Sequence, residues 1–453
     1  KMKIQKFIGA LVIFFFLVNS SLIKNESLTF DEPVHIKAGN LFNRGQFWFD
    51  PMETPLIRST VVTIANHLNV DHRFVILSLN TSLFTILGLL FPPSVQIFLY
   101  FLVLTDPGLV SFSHLFVTDV LSSLFAFLFY LNIRKKNPNI INCLVFFALA
   151  SASKVATLAF IIPATFIFWR HLGWRKILAI FTTTFLFVWW TYGFSSLIIF
   201  ERYPIFVPFG GYLRTIKENI LFSLRGQPIF FLDKVYLHSP WYKTFLILLF
   251  KIPLPILLIS LFSFKQARYY KKDLILWTLY LVVQSSKSLN FGSRHLLLFN
   301  IIFILIAAFS LSKIKSKVLA ISLVSLQLIL FLNIYPYTLS FANFYLPNRE
   351  KYLSDSDYDW GGGLLYLSSF IKEAKISVFQ LAYSGNIDPL LTLGKYHRIS
   401  DNNPVASLSV QDVSPNMPTF ISVTCFHACG YQDHPLFASR PYTLVAGSFM
   451  YFQ

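Results

Sequence analysis

Long apolar stretches, separated by short polar connectors, dominate the first three quarters of the chain. A helix of roughly 20 apolar residues is long enough to cross a bilayer. The stretch at 94–105 is short and could form half of a helical hairpin with its tip at Pro92-Pro93, because proline interrupts a helix. In all, the pattern predicts eleven membrane-spanning helices, at residues 7–23, 74–91, 94–105, 115–133, 140–153, 155–169, 177–199, 244–264, 273–286, 295–312 and 318–334.

Three longer segments interrupt or follow these stretches. Residues 24–73 and 200–243 are amphipathic, and we expect them to lie on the membrane surface. Residues 335–453 alternate strand-like runs with turn residues and one helical run, which predicts a small α/β domain. The runs are Val378–Tyr383, Thr419–Thr424 and Tyr442–Ala446 for strands and Leu364–Ala374 for the helix. The expected architecture is therefore an all-α polytopic membrane domain, residues 1–334, followed by this α/β domain.

The composition agrees with a membrane protein. Apolar residues make up 55% of the chain and charged residues 13%, whereas soluble domains carry roughly a quarter charged residues. A soluble globular protein, a disordered chain and a nucleic-acid-binding protein are poor interpretations of such a sequence. The first apolar stretch could be a signal peptide, but no small-residue cleavage site follows it, and we expect a retained helix.

The net charge of +17 comes largely from connectors that share one predicted side of the membrane. Five connectors hold 16 Lys and Arg and no Asp or Glu: 1–6, 134–136, 170–176, 265–272 and 313–317. By the positive-inside rule they are cytoplasmic, which places the N-terminus inside and the C-terminal domain outside. The frequent Lys, Asn, Ile and Phe suit an AT-rich genome and favour a bacterial plasma membrane.

Acidic residues mark the predicted outer face. Asp31 and Glu32 follow the first span, and Asp119 begins the fourth. A carboxylate there can act as a general base or bind a metal ion. The alternative for the first pair is a helix start, with Thr29 or Asp31 as the cap and Pro33 in the first turn. The alternative for Asp119 is a residue at the membrane edge that reaches water.

Basic residues also occur at this face, against the general charge bias. Lys154 lies between the fifth and sixth spans, Lys251 lies about two turns inside the eighth, and Arg294 and His295 open the tenth. Such groups suit a phosphate at the membrane surface. Snorkelling of Lys154 and interfacial anchoring by Arg294 are the structural alternatives.

Two features of the C-terminal domain have simpler interpretations. Asp355, Asp357 and Asp359 precede a glycine run but match neither a calcium-binding EF-hand nor a P-loop, which favours a turn. Cys425 and Cys429 could form a disulfide in an oxidising compartment or remain thiols, and Cys143 lies in an apolar stretch. Three cysteines are too few for a disulfide framework, and a zinc site lacks ligands.

Several motifs occur in an order that resembles a known family. They are Phe30-Asp31-Glu32-Pro33-Val34-His35, Thr118-Asp119-Val120, Lys154, the segment Gly210 to Arg214, Lys251-Ile252-Pro253-Leu254-Pro255, the segment Asn290 to His295, the segment Tyr335 to Phe341, and the segment Asp355 to Gly361. The chain resembles the GT-C membrane glycosyltransferases that use polyprenyl-phosphate sugars. The nearest group is the bacterial phospholipid-carrier-dependent enzymes of the protein O-mannosyltransferase-like family, also called family 39.

The resemblance implies an inverting sugar transfer from a polyprenyl-phosphate carrier to an acceptor hydroxyl at the outer membrane face. It implies that Asp31 is the catalytic base and that Glu32 and Asp119 support it. The candidates for binding the carrier phosphate are Lys154, Lys251, Arg294 and His295. Because two carboxylates near one phosphate would repel it, Glu32 or Asp119 could instead hold a divalent cation.

Two departures and two rival functions remain open. Met52-Glu53 replaces the family's usual Glu-His pair, and Gly362-Gly363 replaces polar residues.

A transporter or flippase for a lipid-linked sugar would place acids near the bilayer midplane in repeated halves, whereas here the acids lie at one face. A catalytically degenerate scaffold is the second rival. The acceptor could be a protein, a lipid or a cell-envelope glycan.

Overall fold

The computed structural model describes residues 2–47, 49–194, 209–263, 271–286, 292–394, 397–398 and 413–453. Helices occupy most of this chain. They are α1 (Met2–Asn25), α2 (Glu32–Phe42), α3 (Pro55–Leu68), α4 (His72–Leu89), α5 (Pro93–Thr105), α6 (Pro107–His114), α7 (Asp119–Ile133), α8 (Ile140–Ser153), α9 (Leu158–Ile167), α10 (Trp169–Leu172), α11 (Trp174–Thr191), α12 (Gly210–Arg225), α13 (Lys243–Lys251), α14 (Leu254–Ser263), α15 (Lys271–Ser285), α16 (Leu297–Leu311), α17 (Lys317–Ile334), α18 (Leu364–Glu373), α19 (Leu390–Leu393) and α20 (Val423–Ala428).

Each predicted span coincides, over its described residues, with a helix or a pair of helices; positions 195–199 and 264 of two predicted spans lie outside the described residues. Not every helix is long enough to cross a bilayer. Four helical segments among the described residues are long and apolar enough: α1, α4, α16 with the turn before it, and α17. Two bent pairs, α5–α6 and α13–α14, would raise the number to six, and α7, α8 and the segment Val155–Ile167 are shorter apolar helices. The number of eleven crossings therefore stays a prediction.

The prediction of one continuous helix at 244–264 is wrong. α13 and α14 meet at an angle of 108°, because Pro253 lacks the N–H that would continue the helix. The side chain of Asn343 replaces the backbone hydrogen bonds that are lost at this break. Its amide N–H groups donate to the carbonyls of Leu249 and Ile252, both at 2.7 Å, and its side-chain carbonyl accepts from the N–H of Leu254 at 2.9 Å. Lys251 thus ends α13 at the break.

The hairpin proposed for residues 74–105 is present. α4 ends at Leu89 and α5 begins at Pro93, so that Pro92 lies in the connection. The two helices lie side by side, since the Tyr100 hydroxyl donates to the Thr85 carbonyl at 2.9 Å. α5 then bends by 72° into α6, where the carboxylate of Asp106 accepts from the N–H of Leu109 at 2.7 Å and caps the new helix.

The segment 24–73 contains two packed helices, α2 and α3. The position of this segment on the membrane surface stays a prediction. Proline stands in the first turn of both helices, Pro33 in α2 and Pro55 in α3, where its missing N–H costs nothing. Gly39 allows their close approach, because a Cβ there would lie 2.6 Å from the Arg58 carbonyl oxygen. The described part of segment 200–243 contains α12 and an antiparallel hairpin of β1 (Ile229–Phe231) and β2 (Lys234–Tyr236).

The C-terminal domain contains one five-stranded mixed sheet. The strands are β3 (Gln380–Ala382), β4 (His397–Arg398), β5 (Thr419–Ser422), β6 (Thr443–Val445) and β7 (Phe449–Phe452), in the order β4-β3-β5-β7-β6. β3 pairs parallel with β4 and β5, and β7 pairs antiparallel with β5 and β6. The three predicted strands and the predicted helix, α18, are confirmed, and Cys425 and Cys429 form a disulfide.

The segment 357–362, which includes part of the glycine run, contacts the helical part of the chain. The backbone carbonyl of Trp360 accepts from the N–H of Phe30 at 2.9 Å, and that of Gly362 accepts from the N–H of Ser27 at 3.0 Å. The Asp357 carboxylate accepts from the N–H of Ser293 at 2.6 Å. The segment 357–362 therefore contacts both chain segments that carry predicted site residues, 27–31 and 292–295.

Candidate active site

Asp31 lies at the N-cap of α2, as the structural alternative predicted, but its side chain makes no capping hydrogen bond. Its carboxylate instead accepts from the guanidinium of Arg294 at 2.8 Å. The Asp31 side chain is 32% exposed and that of Arg294 13%. The start of α2 therefore positions the Asp31 carboxylate. The oxygens of this carboxylate face Arg294, at the start of the tenth predicted span.

Arg294 lies in a short 3-10 turn, Ser293–Leu296, just before α16. Gly292 precedes the turn with φ of +93°, and a Cβ on it would collide with the Asp357 carboxylate. The guanidinium of Arg294 also lies 4.5 Å from the centroid of the buried Trp360 ring, a cation–π contact. The Trp360 ring therefore contacts Arg294, and the Trp360 carbonyl accepts from the N–H of Phe30, the residue before Asp31.

A second ion pair joins Asp119 and Lys154. The Lys154 ammonium donates to the Asp119 carboxylate at 2.6 Å and lies 3.7 Å from a carboxylate oxygen of Glu53. The Thr118 hydroxyl donates to the other oxygen of Glu53 at 3.3 Å. Glu53, which stands at the departure from the family motif, therefore belongs to this cluster. Burial raises the pKa of Glu53, although the charges of Lys154 and Arg58 oppose that shift.

The cations of both ion pairs line the same pocket. Its polar wall includes Asp119, Lys154, Arg294 and His295. Its remaining wall is partly apolar and comes from α7, α9, α15 and α16, among them Ala126, Phe160 and Leu298. Cations next to an apolar wall suit a ligand that carries a phosphate on a hydrocarbon chain.

Glu32 lies beside Asp31 in sequence but points into the protein core. Arg73 donates to both of its oxygens, at 2.7 and 2.5 Å. The N–H groups of Thr29 and Phe116 donate to them at 2.7 and 2.8 Å. Burial alone would raise the pKa of Glu32, but the charge and hydrogen bonds of Arg73 hold that pKa at about 2. This arrangement orients the start of α2 and hence Asp31.

Lys251 lies at the break between α13 and α14, and its side chain is buried. Its ammonium donates to the backbone carbonyls of Leu339, Phe341 and Asp357, at 2.8, 2.6 and 2.7 Å. An ammonium has three N–H donors, so all of them have acceptors in this arrangement. A phosphate-binding role for Lys251 stays a prediction, and these contacts weigh against it.

Three residues of the site escaped the sequence interpretation. Arg73 begins an apolar helix 41 residues after Glu32, Glu53 was known only as a departure from a motif, and Trp360 was assigned to a turn. Nothing in the local sequence indicates which partner each of these three side chains contacts. The available signals were a charged residue, Arg73, in an otherwise apolar helix and an aromatic residue, Trp360, beside a glycine run.

The two carboxylates predicted to hold a divalent cation do not form a suitable donor set. Both oxygens of Glu32 accept from N–H groups, and Asp119 accepts from the Lys154 ammonium. Among the described residues, no three His, Cys, Asp or Glu side chains lie together as a metal site would require. A divalent cation in this protein stays a prediction.

No protein-family model matches the sequence, and no curated protein matches it. Two solved structures are similar in fold. ArnT from Cupriavidus metallidurans in the apo state aligns with a TM-score of 0.54, covering 98% of this chain and 96% of ArnT at 8% identity. The chain has the GT-C fold of ArnT. ArnT from the same organism bound to undecaprenyl phosphate aligns with a TM-score of 0.50, covering 98% and 97% at 10% identity.

Proposed function

We propose that this protein is an integral membrane glycosyltransferase that moves a sugar from a polyprenyl-phosphate carrier to an acceptor hydroxyl, with inversion, at the outer face of the membrane. The observation that carries the proposal is the pair of acid–cation contacts, Asp31–Arg294 and Asp119–Lys154, whose two cations line the same partly apolar pocket. The fold shared with ArnT, which has been solved with undecaprenyl phosphate bound, supports the same class of donor.

The chemistry needs one base and two sources of positive charge. The Asp31 carboxylate takes the proton from the acceptor hydroxyl, and the acceptor oxygen forms a bond to the anomeric carbon. The bond from that carbon to the carrier phosphate breaks, and its electron pair leaves with the phosphate oxygen. The cations of Arg294 and Lys154 stabilise the negative charge that develops there. Phosphate is a good leaving group, so a general acid is not required.

The other site residues position Asp31 and Lys154 or would contact the carrier phosphate. Glu32, through Arg73, fixes the start of α2 and so the direction of Asp31. Asp119 holds Lys154 in place. His295 follows Arg294 and lines the same pocket, where it would contact the carrier phosphate. The acceptor is a protein, a lipid or a cell-envelope glycan.

Mass spectrometry of polyprenyl-phosphate lipids tests the proposal. Cells with the native protein are compared with cells that express Asp31→Asn or, as a control, Asp433→Asn, at matched levels; Asp433 is exposed in the C-terminal domain. We expect one lipid-linked sugar to accumulate only with Asp31→Asn. Identical lipid pools, in cells shown to make such lipids and to need this protein, would contradict the base role and favour a scaffold.

A further inference from the structure

α12 has two chemically different faces. Its buried side chains include Tyr212 and Thr215. Leu213, Ile220 and Leu224 point outward and are 38%, 55% and 68% exposed. Spacings of seven and four residues place these three on one stripe of a helix. An apolar stripe this exposed is typical of a helix that contacts something beyond its own fold.

The contacts of the opposite face place α12 at one edge of the membrane domain. The Tyr212 hydroxyl donates to the Ser151 carbonyl at 3.0 Å, in the last turn of α8. The Thr215 and Tyr192 hydroxyls lie 2.7 Å apart, and Tyr192 directly follows α11. The charge pattern of the connectors predicts that these ends of α8 and α11 face outward. α12 therefore lies at the level of the outer headgroups.

The exposed charges of α12 indicate what its stripe contacts. Arg214, Lys217 and Arg225 are exposed beside the stripe, and Glu218 is the one acidic residue of the helix. Three cations are unusual on an outer segment, where positive charge is normally depleted. Basic residues that flank an apolar stripe fit the phosphates of lipid headgroups above acyl chains.

We propose that α12 is an interfacial helix that binds the outer leaflet. Leu213, Ile220 and Leu224 lie among the acyl chains just below the headgroups, and Arg214, Lys217 and Arg225 bind anionic lipid phosphates. This surface is separate from the transfer reaction proposed above and would exist even if that reaction were assigned wrongly.

The same helix also contacts the wall of the candidate active site. The Asn219 amide donates to the carbonyl of Met52 at 2.6 Å, next to Glu53. Tyr212 contacts Ser151 in the last turn of α8, three residues before Lys154. A helix anchored in the lipid surface therefore holds both chain segments that supply the Glu53–Lys154 contact.

Depth measurement with a nitroxide label tests this proposal without any assay of activity. The full chain carries the label at Leu224→Cys in nanodiscs of phosphatidylcholine, with or without phosphatidylglycerol. Ile329→Cys, exposed on the apolar α17, is the bilayer reference, and Ser369→Cys, exposed on α18, is the water reference. Cys143 is buried and the other two cysteines are paired, so the parent chain gives the labelling background.

We expect the Leu224 label to collide with oxygen as the bilayer reference does and to be shielded from a water-soluble nickel chelate. Collisions like those at Ser369 would overturn the proposal. A label shielded from both reagents would also overturn it, because protein would then cover the stripe. Leu213→Cys provides a second position on the stripe if the Leu224 variant does not fold.

The lipid charge is tested separately. Phosphatidylglycerol is expected to reduce nickel collisions at position 224 by about twofold, and the triple variant Arg214→Gln, Lys217→Gln, Arg225→Gln is expected to lose this response. An identical depth with and without phosphatidylglycerol would overturn the role of anionic lipid.

Discussion

Asp31 and Arg294 are 263 residues apart in the sequence, yet their side chains meet at 2.8 Å. The contact joins the proposed base to a proposed phosphate ligand. A donor phosphate that binds Arg294 competes with Asp31 for the same guanidinium. Under the proposed function, we expect donor binding to release the Asp31 carboxylate for the acceptor hydroxyl. In the structure that carboxylate is paired with Arg294.

Replacement of Arg294 tests this competition. We expect Arg294→Gln to raise the KM for the donor by about 10- to 100-fold, the loss of one charge-assisted hydrogen bond. Arg44→Gln, at an exposed position between α2 and α3, is the control. Steady-state kinetics with a purified lipid-linked donor measure the effect. A donor KM equal to that of the control would show that the phosphate does not bind Arg294.

Trp360 is expected to act through Arg294. Trp360→Leu removes the ring beneath the guanidinium, and cation–π contacts contribute about 0.5–2 kcal/mol. We expect a donor kcat/KM lower by about 3- to 30-fold, with partial recovery in Trp360→Phe, which keeps an aromatic face. Trp241→Leu, at a position 68% exposed, controls for loss of a tryptophan. Equal losses in the Phe and Leu variants would indicate a packing role alone.

Glu53 is expected to give a pH-dependent effect. Its carboxylate lies 3.7 Å from the Lys154 ammonium, and burial raises its pKa. Glu53→Gln removes the charge that holds Lys154, so we expect kcat/KM to fall by about tenfold at alkaline pH. The two proteins should converge as the pH falls, because native Glu53 then gains a proton and is neutral as well. A ratio that does not change with pH would contradict this account.

Glu32 is expected to determine acid stability. Its pKa is held at about 2 in the folded protein against 4.5 for a free side chain. Its contribution is therefore complete above pH 4.5 and is lost as the pH falls towards 2. Glu32→Gln leaves Arg73 buried without its partner, which costs about 3–5 kcal/mol. Thermal unfolding, measured from pH 7 to pH 3, should show a lower Tm for Glu32→Gln than for the native protein. The Tm of the variant should also fall less as the pH decreases.

Glu373→Gln, exposed on α18, is the matched control for that experiment. It should retain the native Tm and the native pH profile. A Glu32→Gln variant with the same Tm as this control would mean that the Glu32–Arg73 pair adds nothing to stability.

Most apolar helices of this fold could be predicted because each long apolar run contains at least one of them. The bend at Pro253 was missed, although proline is a signal for it, and so was the amide of Asn343, 90 residues away, which completes the backbone hydrogen bonds there. The sequence predicts that Asp31 and Glu32 belong to one site. It did not show that they point in different directions, one to Arg294 and one to Arg73.

The pairing of charges could not be predicted, for a physical reason. An ion pair depends on where two side chains meet in space, and Glu53 and Lys154 lie on segments that come together only after α2, α3 and α8 have packed. A motif departure at Met52-Glu53 indicated a lost contact, whereas the structure shows a new carboxylate contact at that place. Distance in the sequence carried no information on these partners.

The central claim is that Asp31 is the base of a sugar transfer from a lipid phosphate. Its most direct test is the rate at which purified protein in nanodiscs releases polyprenyl phosphate from a lipid-linked sugar, for the native chain, Asp31→Asn and Asp433→Asn. The account predicts a loss of about 10²- to 10⁴-fold for Asp31→Asn alone, with donor binding unchanged or tighter because Arg294 is no longer paired. A rate for Asp31→Asn equal to that of Asp433→Asn would contradict it.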